Sequence, residues 1–226
     1  MTYELKDNIA IVSIDDGKAN VVGHAFLDAV NDALDRAERE KPGAVILRGR
    51  DGMFSAGFDL GEFKKGPEAA MSLVGRGMRL LVRLYGFPLP LVAACTGHGI
   101  AMGAFVILAC DSRIGARGNF KITLPETAIG MELPATVLEM TASRIPAQYL
   151  TRALIQAEVF KPDQAVVAGF LDEVVEASDL DARTLEVARA LAQLPQGAYA
   201  ANKLLVRRTA LTAMQATIDT PVSPDT

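Results

Sequence analysis

The chain alternates between short unbroken apolar runs and longer stretches whose apolar residues recur on one face. Asn8-Ile9-Ala10-Ile11-Val12-Ser13-Ile14 reads as a strand ended by the turn residues Asp15-Asp16-Gly17. Phe26, Leu27, Val30, Ala33, Leu34 and Ala37 then recur at helical spacing, with Asp28, Asp35, Arg36 and Glu38 off that stripe, which predicts an amphipathic helix stopped by Pro42-Gly43. Ala44-Val45-Ile46-Leu47 is a buried strand that feeds directly into a glycine turn, Phe54-Ser55-Ala56-Gly57-Phe58-Asp59-Leu60. Gly61 to Pro67 reads as a surface loop. Met71, Val74, Met78, Leu81 and Leu84 mark a second helix, closed by Pro88 and Pro90. Leu91-Val92-Ala93-Ala94-Cys95 is another buried strand, and it delivers a second glycine turn, Gly97-His98-Gly99-Ile100-Ala101-Met102-Gly103. Gly103 to Cys110 is apolar on every side, as expected of a helix at the centre of a fold, and Asp111-Ser112-Arg113-Ile114 starts the next strand.

Beyond Pro134 the pattern turns helical, with helices predicted around 135–144, 147–155, 162–168, 180–193 and 197–213 and one late strand, Phe170 to Val175. The alternation of strands and helices predicts an α/β protein. No sequence repeat and no linker divides the 226 residues, so a single domain is expected: a core over about 1–176, C-terminal helices over about 177–213 and a disordered tail over about 219–226.

Half of the residues are hydrophobic and the net charge is -4, a balance unlike that of a general nucleic-acid binder with its basic patch. The first residues lack a basic segment leading into an apolar one, and no apolar run is long enough to cross a bilayer, so a soluble cytoplasmic protein is expected. Cys95 and Cys110 stand in apolar surroundings and read as buried reduced thiols. His24 reads as a surface residue and His98 as a structural one, and neither has partners at metal-ligand spacing.

The chemistry resides in the two glycine turns. Each follows an apolar strand, leads towards a helix and leaves backbone N–H groups free, so that one amide from each can meet at the same oxygen. Such a pair stabilises an enolate or a tetrahedral oxyanion, which points to chemistry on a carbonyl.

The run from Ala44 through Phe58-Asp59-Leu60, the segment Pro90 to Asp111, and Leu124-Pro125-Glu126-Thr127-Ala128-Ile129-Gly130 resemble, in that order and spacing, the enoyl-CoA hydratase/isomerase (crotonase) family. The resemblance reaches from the first strand to Lys203. It implies a spiral of repeated ββα units followed by helices that pack between subunits, in trimers or dimers of trimers. It also implies an acyl-CoA thioester as substrate, with coenzyme A entering as part of that substrate and neither a separate cofactor nor a metal. Two oxyanion-hole amides then fall on Phe58 and on Met102, with Gly103 the alternative to Met102. Ser55, Ala56 and Gly57 become the backbone edge that receives adenine, and Lys64, Lys65, Lys203 and Arg207 are candidates for the phosphates. Asp111 is expected to cap or anchor the central helix.

Hydratases of this family carry two glutamates that hold a water between them. The first position is Phe105 here, which cannot transfer a proton and is left to line the substrate pocket, and the second is kept as Glu126. One carboxylate beside an oxyanion hole suits a double-bond shift from 3-enoyl to 2-enoyl-CoA, and desolvation by Phe58, Met102 and Phe105 would raise its pKa towards neutrality. Glu132, at a position where some relatives carry their catalytic carboxylate, is the second candidate, and hydration returns if both carboxylates face the pocket. Hydratase, lyase or hydrolase activity, and acyl-CoA binding without catalysis, are the alternatives. The apolar content of 179–212 suggests a trimer or hexamer.

Overall fold

In the computed structural model, which describes residues 1–219, strand β1 (Thr2–Lys6) pairs antiparallel with β2 (Ile9–Ser13) at the edge of the larger of two sheets. The amphipathic helix α1 (His24–Glu40) follows and ends where Lys41 turns left-handed, one residue before Pro42. The chain then makes three successive passes of strand, strand and helix. The first comprises β3 (Ala44–Arg48), β4 (Gly52–Ser55), the short α2 (Leu60–Phe63) and the long α3 (Pro67–Tyr85). The second comprises β5 (Leu91–Cys95), β6 (Gly97–Ile100) and α4 (Met102–Ala109), and the third β7 (Ser112–Ala116), β8 (Ile122–Thr123) and α5 (Ala135–Ala142). The first strand of each pass joins the larger sheet and the second joins the smaller. The orders are β1-β2-β3-β5-β7-β9, with β9 being Glu173–Val175, and β4-β6-β8. This is the α/β spiral of ββα units that the resemblance implied.

Side chains of a strand alternate between its two faces, and both faces of the larger sheet are covered. Val45 and Leu47 of β3 pack with Ala93 of β5 into the core beneath α1, α3 and α4. Ala44 and Ile46 pack instead with Val92, Ala94 and two residues of α8 (Leu180–Ala192), Leu180 and Ala188. Two covered faces are why these strands are unbroken apolar runs. Every residue of α4 is buried, so it has no polar face. Between β8 and α8 the chain forms α6 (Ala147–Leu150), a π-helical turn (Thr151–Ile155) and α7 (Pro162–Val167). The last helix, α9, spans Gln196–Asp219, longer than the expected 197–213. The expected disordered tail lies, but for its first residue, outside the described residues.

Three expectations need correction. The strand at 44–47 does not feed the first glycine turn, because β4 intervenes, a strand too short and polar to stand out. The second glycine segment is largely a strand, β6, in which glycine serves close packing: a Cβ on Gly97 would lie 2.0 Å from the carbonyl carbon of Gly52 in the neighbouring strand. The expected loop after Leu60 opens with α2, capped by the Asp59 carboxylate, which accepts the Gly61 N–H at 2.8 Å.

Asp111 ties α9 to this core. One of its oxygens, Oδ2, accepts the Leu91 N–H at 2.8 Å and lies 2.5 Å from Lys203 Nζ, and the other lies 2.8 Å from Arg207 Nη2. Lys203 also donates to Phe87 O and Leu89 O, and Arg207 to Tyr85 O. These cations are therefore buried structural groups and not phosphate ligands. Breaking such a pair leaves charge uncompensated in the interior, so Asp111→Asn should lower stability by about 3–5 kcal/mol, read as a shift in urea midpoint.

Candidate active site

The two glycine segments meet. Gly57 has φ +92, and a Cβ there would lie 2.8 Å from Ala101 Cβ, 3.1 Å from Ile100 O and 3.5 Å from Met102 N. Gly103 packs even more tightly on the first segment, since its Cβ would lie 2.5 Å from Ser55 O. Only a chain without Cβ atoms at these positions brings the end of β4 and the start of α4 into backbone contact.

Asn20, a residue outside every motif of the sequence, organises the first segment. Fully buried at φ +51, it donates from Nδ2 to Ile14 O at 2.9 Å, Phe54 O at 3.1 Å and Met53 O at 3.2 Å. Its own carbonyl accepts Ser55 Oγ at 2.8 Å. Ser55 is thus spent inside the turn, and among the expected adenine-edge residues only Ala56 lines the cavity described next. Asparagine tolerates the left-handed conformation, which is the local signal that Asn20 carries.

Phe58 sits in a parallel bridge with Val22, where Val22 N–H donates to Gly57 O and Asp59 N–H to Val22 O. The intervening Phe58 N–H faces away from that partner, and among the described residues no backbone carbonyl accepts it. Met102 is the first residue of α4, so its N–H has no acceptor within the helix. Ala101 before it is held at φ 51, ψ −125, with its N–H given to Thr123 O of β8 at 3.0 Å. Alanine rarely adopts this conformation, and the strain here sets the direction of the following amide.

A cavity of about 420 Å³ lies in front of these amides. Phe58, Met102, Phe105, Phe63, Val74 and Met78 contribute apolar wall, and Glu126 and Glu132 both line it. Gly103 does not. The Glu126 backbone is fixed by Met131 N–H and Ile129 N–H, which donate to its carbonyl at 2.8 and 3.2 Å, and Thr127 Oγ1 donates to Leu154 O of the π-helical turn. Glu126 is only 7% exposed, and its Oε2 is buried without a hydrogen-bond partner among the described residues. Burial pushes its carboxyl up to about 7. Glu132 shares the wall but is exposed.

The histidines stand apart from this cavity. His98 accepts the Lys121 N–H at 3.0 Å through Nδ1, and its ring meets Phe120 edge-on. Burial, then Lys121 and Lys161, hold its pKa below the ordinary value. His24 is half-buried between Arg76 and Glu62. Burial pushes both thiols up to about 12, and the two cysteines are free. Among the described residues no group of three or more histidine, cysteine, aspartate or glutamate side chains is placed to hold a metal, and no helix is long and apolar enough to cross a membrane.

A family model for enoyl-CoA hydratase/isomerase matches residues 4–222. A Mycobacterium tuberculosis protein, called an enoyl-CoA isomerase with one of its structures and a probable enoyl-CoA hydratase with another, is 41% identical; the first structure covers 96% of this chain and 95% of that one and superposes with a TM-score of 0.92. Human mitochondrial delta3-delta2-enoyl-CoA isomerase is 27% identical in structural alignment over 96% of this chain and 90% of that one, with a TM-score of 0.89. A probable enoyl-CoA hydratase of Bacillus subtilis is 33% identical over 126 residues, 54% of this chain and 48% of that protein, so the match spans about half the length of that relative.

Proposed function

The chain belongs to the enoyl-CoA hydratase/isomerase family, and from that premise we propose that it moves the double bond of a 3-enoyl-CoA thioester into the 2-enoyl position. The observation that carries this reading is Glu126, the buried carboxylate of a cavity that Phe105 also lines, with an oxygen unpartnered among the described residues and a pKa raised to about 7. Glu126 removes a proton from the carbon next to the thioester carbonyl. The charge moves onto the thioester oxygen, where the Phe58 and Met102 N–H groups receive it. The protonated carboxyl then returns the proton to the far end of the dienolate, and the double bond lies one carbon closer to the carbonyl. Apolar walls keep water from competing for the proton. The human isomerase among the relatives supports the reading, while the Mycobacterium tuberculosis relative carries both names and the Bacillus subtilis one a hydratase name, so family membership alone does not decide it.

A base must be ionised to act. With its carboxyl at about 7, kcat/KM for a 3-enoyl-CoA should rise about tenfold per pH unit below neutrality and level off above it. A flat profile between pH 5 and 8 would contradict the assignment. Lys64 and Lys65, exposed beyond α2, remain for the coenzyme A phosphates. Exposed Leu204, Leu205 and Val206 on α9 support assembly into a trimer or hexamer.

Hydration is the second reading, favoured by the presence of Glu132 in the same cavity wall, where two carboxylates would hold one water. Binding without catalysis is separated from both by titrating acyl-CoA calorimetrically beside a turnover assay: heat of binding with no conversion of any enoyl-CoA would favour it.

A further inference from the structure

A second, larger chamber of about 730 Å³ adjoins the cavity of Glu126. Val74, Met78, Glu132 and Pro134 belong to the walls of both, so the two lie side by side. Its own walls come from α3, from the start of α5 and from α9, with Met71, Leu133 and Ile218 among the apolar contributors. The two threonines facing it, Thr136 and Thr217, hydrogen-bond each other at 2.5 Å, so neither hydroxyl demands a ligand. Glu132, which lines both, is exposed.

Gly75 is the informative residue of this chamber. It lies in the middle of α3, where glycine is a poor choice for the helix. Among the described residues a Cβ there would meet nothing within 4 Å except Arg79 Nη2, at 3.8 Å, so no close neighbour among them excludes a side chain. Its neighbour Gly77 has a different reason: a Cβ there would lie 2.5 Å from the Phe58 ring. Gly75 leaves space empty, and the space it leaves is the chamber.

Resting on the acyl-CoA reading above, we propose that Gly75 is the chain-length determinant of the site: the room it leaves in this chamber lets the site select substrates with medium-length to long alkyl tails over short ones. A flexible methionine, Met78, at the junction suits a chain of variable shape. Each methylene buried there is worth roughly a fourfold gain in affinity.

The test uses saturated thioesters, which bind without a double bond to move. Decanoyl-CoA and butanoyl-CoA are titrated calorimetrically into the protein and into Gly75→Leu. In the unaltered protein, decanoyl-CoA should bind at least roughly 100-fold tighter. Leucine is a better helix former than glycine, so the variant should keep its fold and melt no lower. It should weaken decanoyl-CoA by roughly 30-fold or more and leave butanoyl-CoA within about twofold. Equal affinities for the two thioesters, or undiminished decanoyl-CoA binding by the folded variant, would overturn the proposal. If neither thioester bound, the acyl-CoA reading itself would fall and take the proposal with it.

Discussion

Glu126→Gln should cut turnover of a 3-enoyl-CoA by roughly 100-fold or more, leave acyl-CoA affinity nearly unchanged and make the protein more stable at pH 8. Glutamine keeps the shape of the side chain but accepts no proton. The gain in stability follows from the direction of the pKa. A carboxyl raised on folding from its ordinary 4.5 to about 7 favours the folded state fully below the lower value and loses that contribution as pH rises through the higher one. At pH 8 the folded protein therefore carries an ionised carboxylate in an apolar wall, at a cost of about 3 kcal/mol by that difference. A neutral amide avoids most of it, so the variant should gain about 1–3 kcal/mol at pH 8 and little at pH 4.5. Denaturant midpoints at the two pH values beside kcat measure both effects. Exposed Glu132, replaced in the same way, should change kcat only a few-fold. The reverse ranking would move the base to Glu132, and large equal losses would indicate a pair sharing a water.

Gly57→Ala should be the other severe variant. Its φ of +92 strains any L side chain, and the new methyl would lie 2.8 Å from Ala101 Cβ and 3.1 Å from Ile100 O. Relief comes only by parting the two backbone segments that carry the Phe58 and Met102 amides. Loss of one oxyanion donor costs about 100- to 1,000-fold in kcat, so a fall of that order is expected, with about 2–4 kcal/mol of stability. Gly52→Ala is the control. It too has positive φ, +80, but among the described residues no atom lies within 4 Å of an added Cβ, so it should lose about 1 kcal/mol and keep its kinetics. Full activity in folded Gly57→Ala would show that the two segments do not act together on the carbonyl oxygen.

The sequence makes legible those parts of the fold whose burial is complete. β3, β5 and α4 stand out because both strand faces, or all helix faces, are covered, leaving runs without polar residues. α1 stands out because one face is buried and the other wet. β4 and β6 do not, since glycines at Gly52, Gly97 and Gly99 read locally as turn punctuation, whereas Gly97 answers to a neighbouring backbone and Gly99 to the Ile107 side chain. The same distinction runs through the candidate site. Phe58, Met102, Phe105 and Glu126 are found from the order of the motifs, and the structure brings them to one cavity with Glu132. The role of the Ser55 hydroxyl, which donates to Asn20 O far away in the chain, is not legible in the sequence. Lys203 and Arg207 are misread because only the folded chain shows the buried Asp111 between them. Ala101 and Gly75 escape because their roles are a backbone conformation and an empty space, neither of which leaves a chemical signature in the sequence, and Asn20 escapes because the Met53 and Phe54 carbonyls that its side chain holds are distant in the chain.

The central claim is that a single carboxylate shuttles a proton within the substrate. A 3-enoyl-CoA and a 2-enoyl-CoA are incubated separately with the protein, and the products are followed by mass spectrometry and by absorbance of the conjugated thioester. The account predicts that the 3-enoyl-CoA becomes conjugated without change of mass, and that this conversion disappears in Glu126→Gln. A product heavier by one water, formed readily from the 2-enoyl-CoA while the 3-enoyl-CoA is left unchanged, would contradict it and make the protein a hydratase.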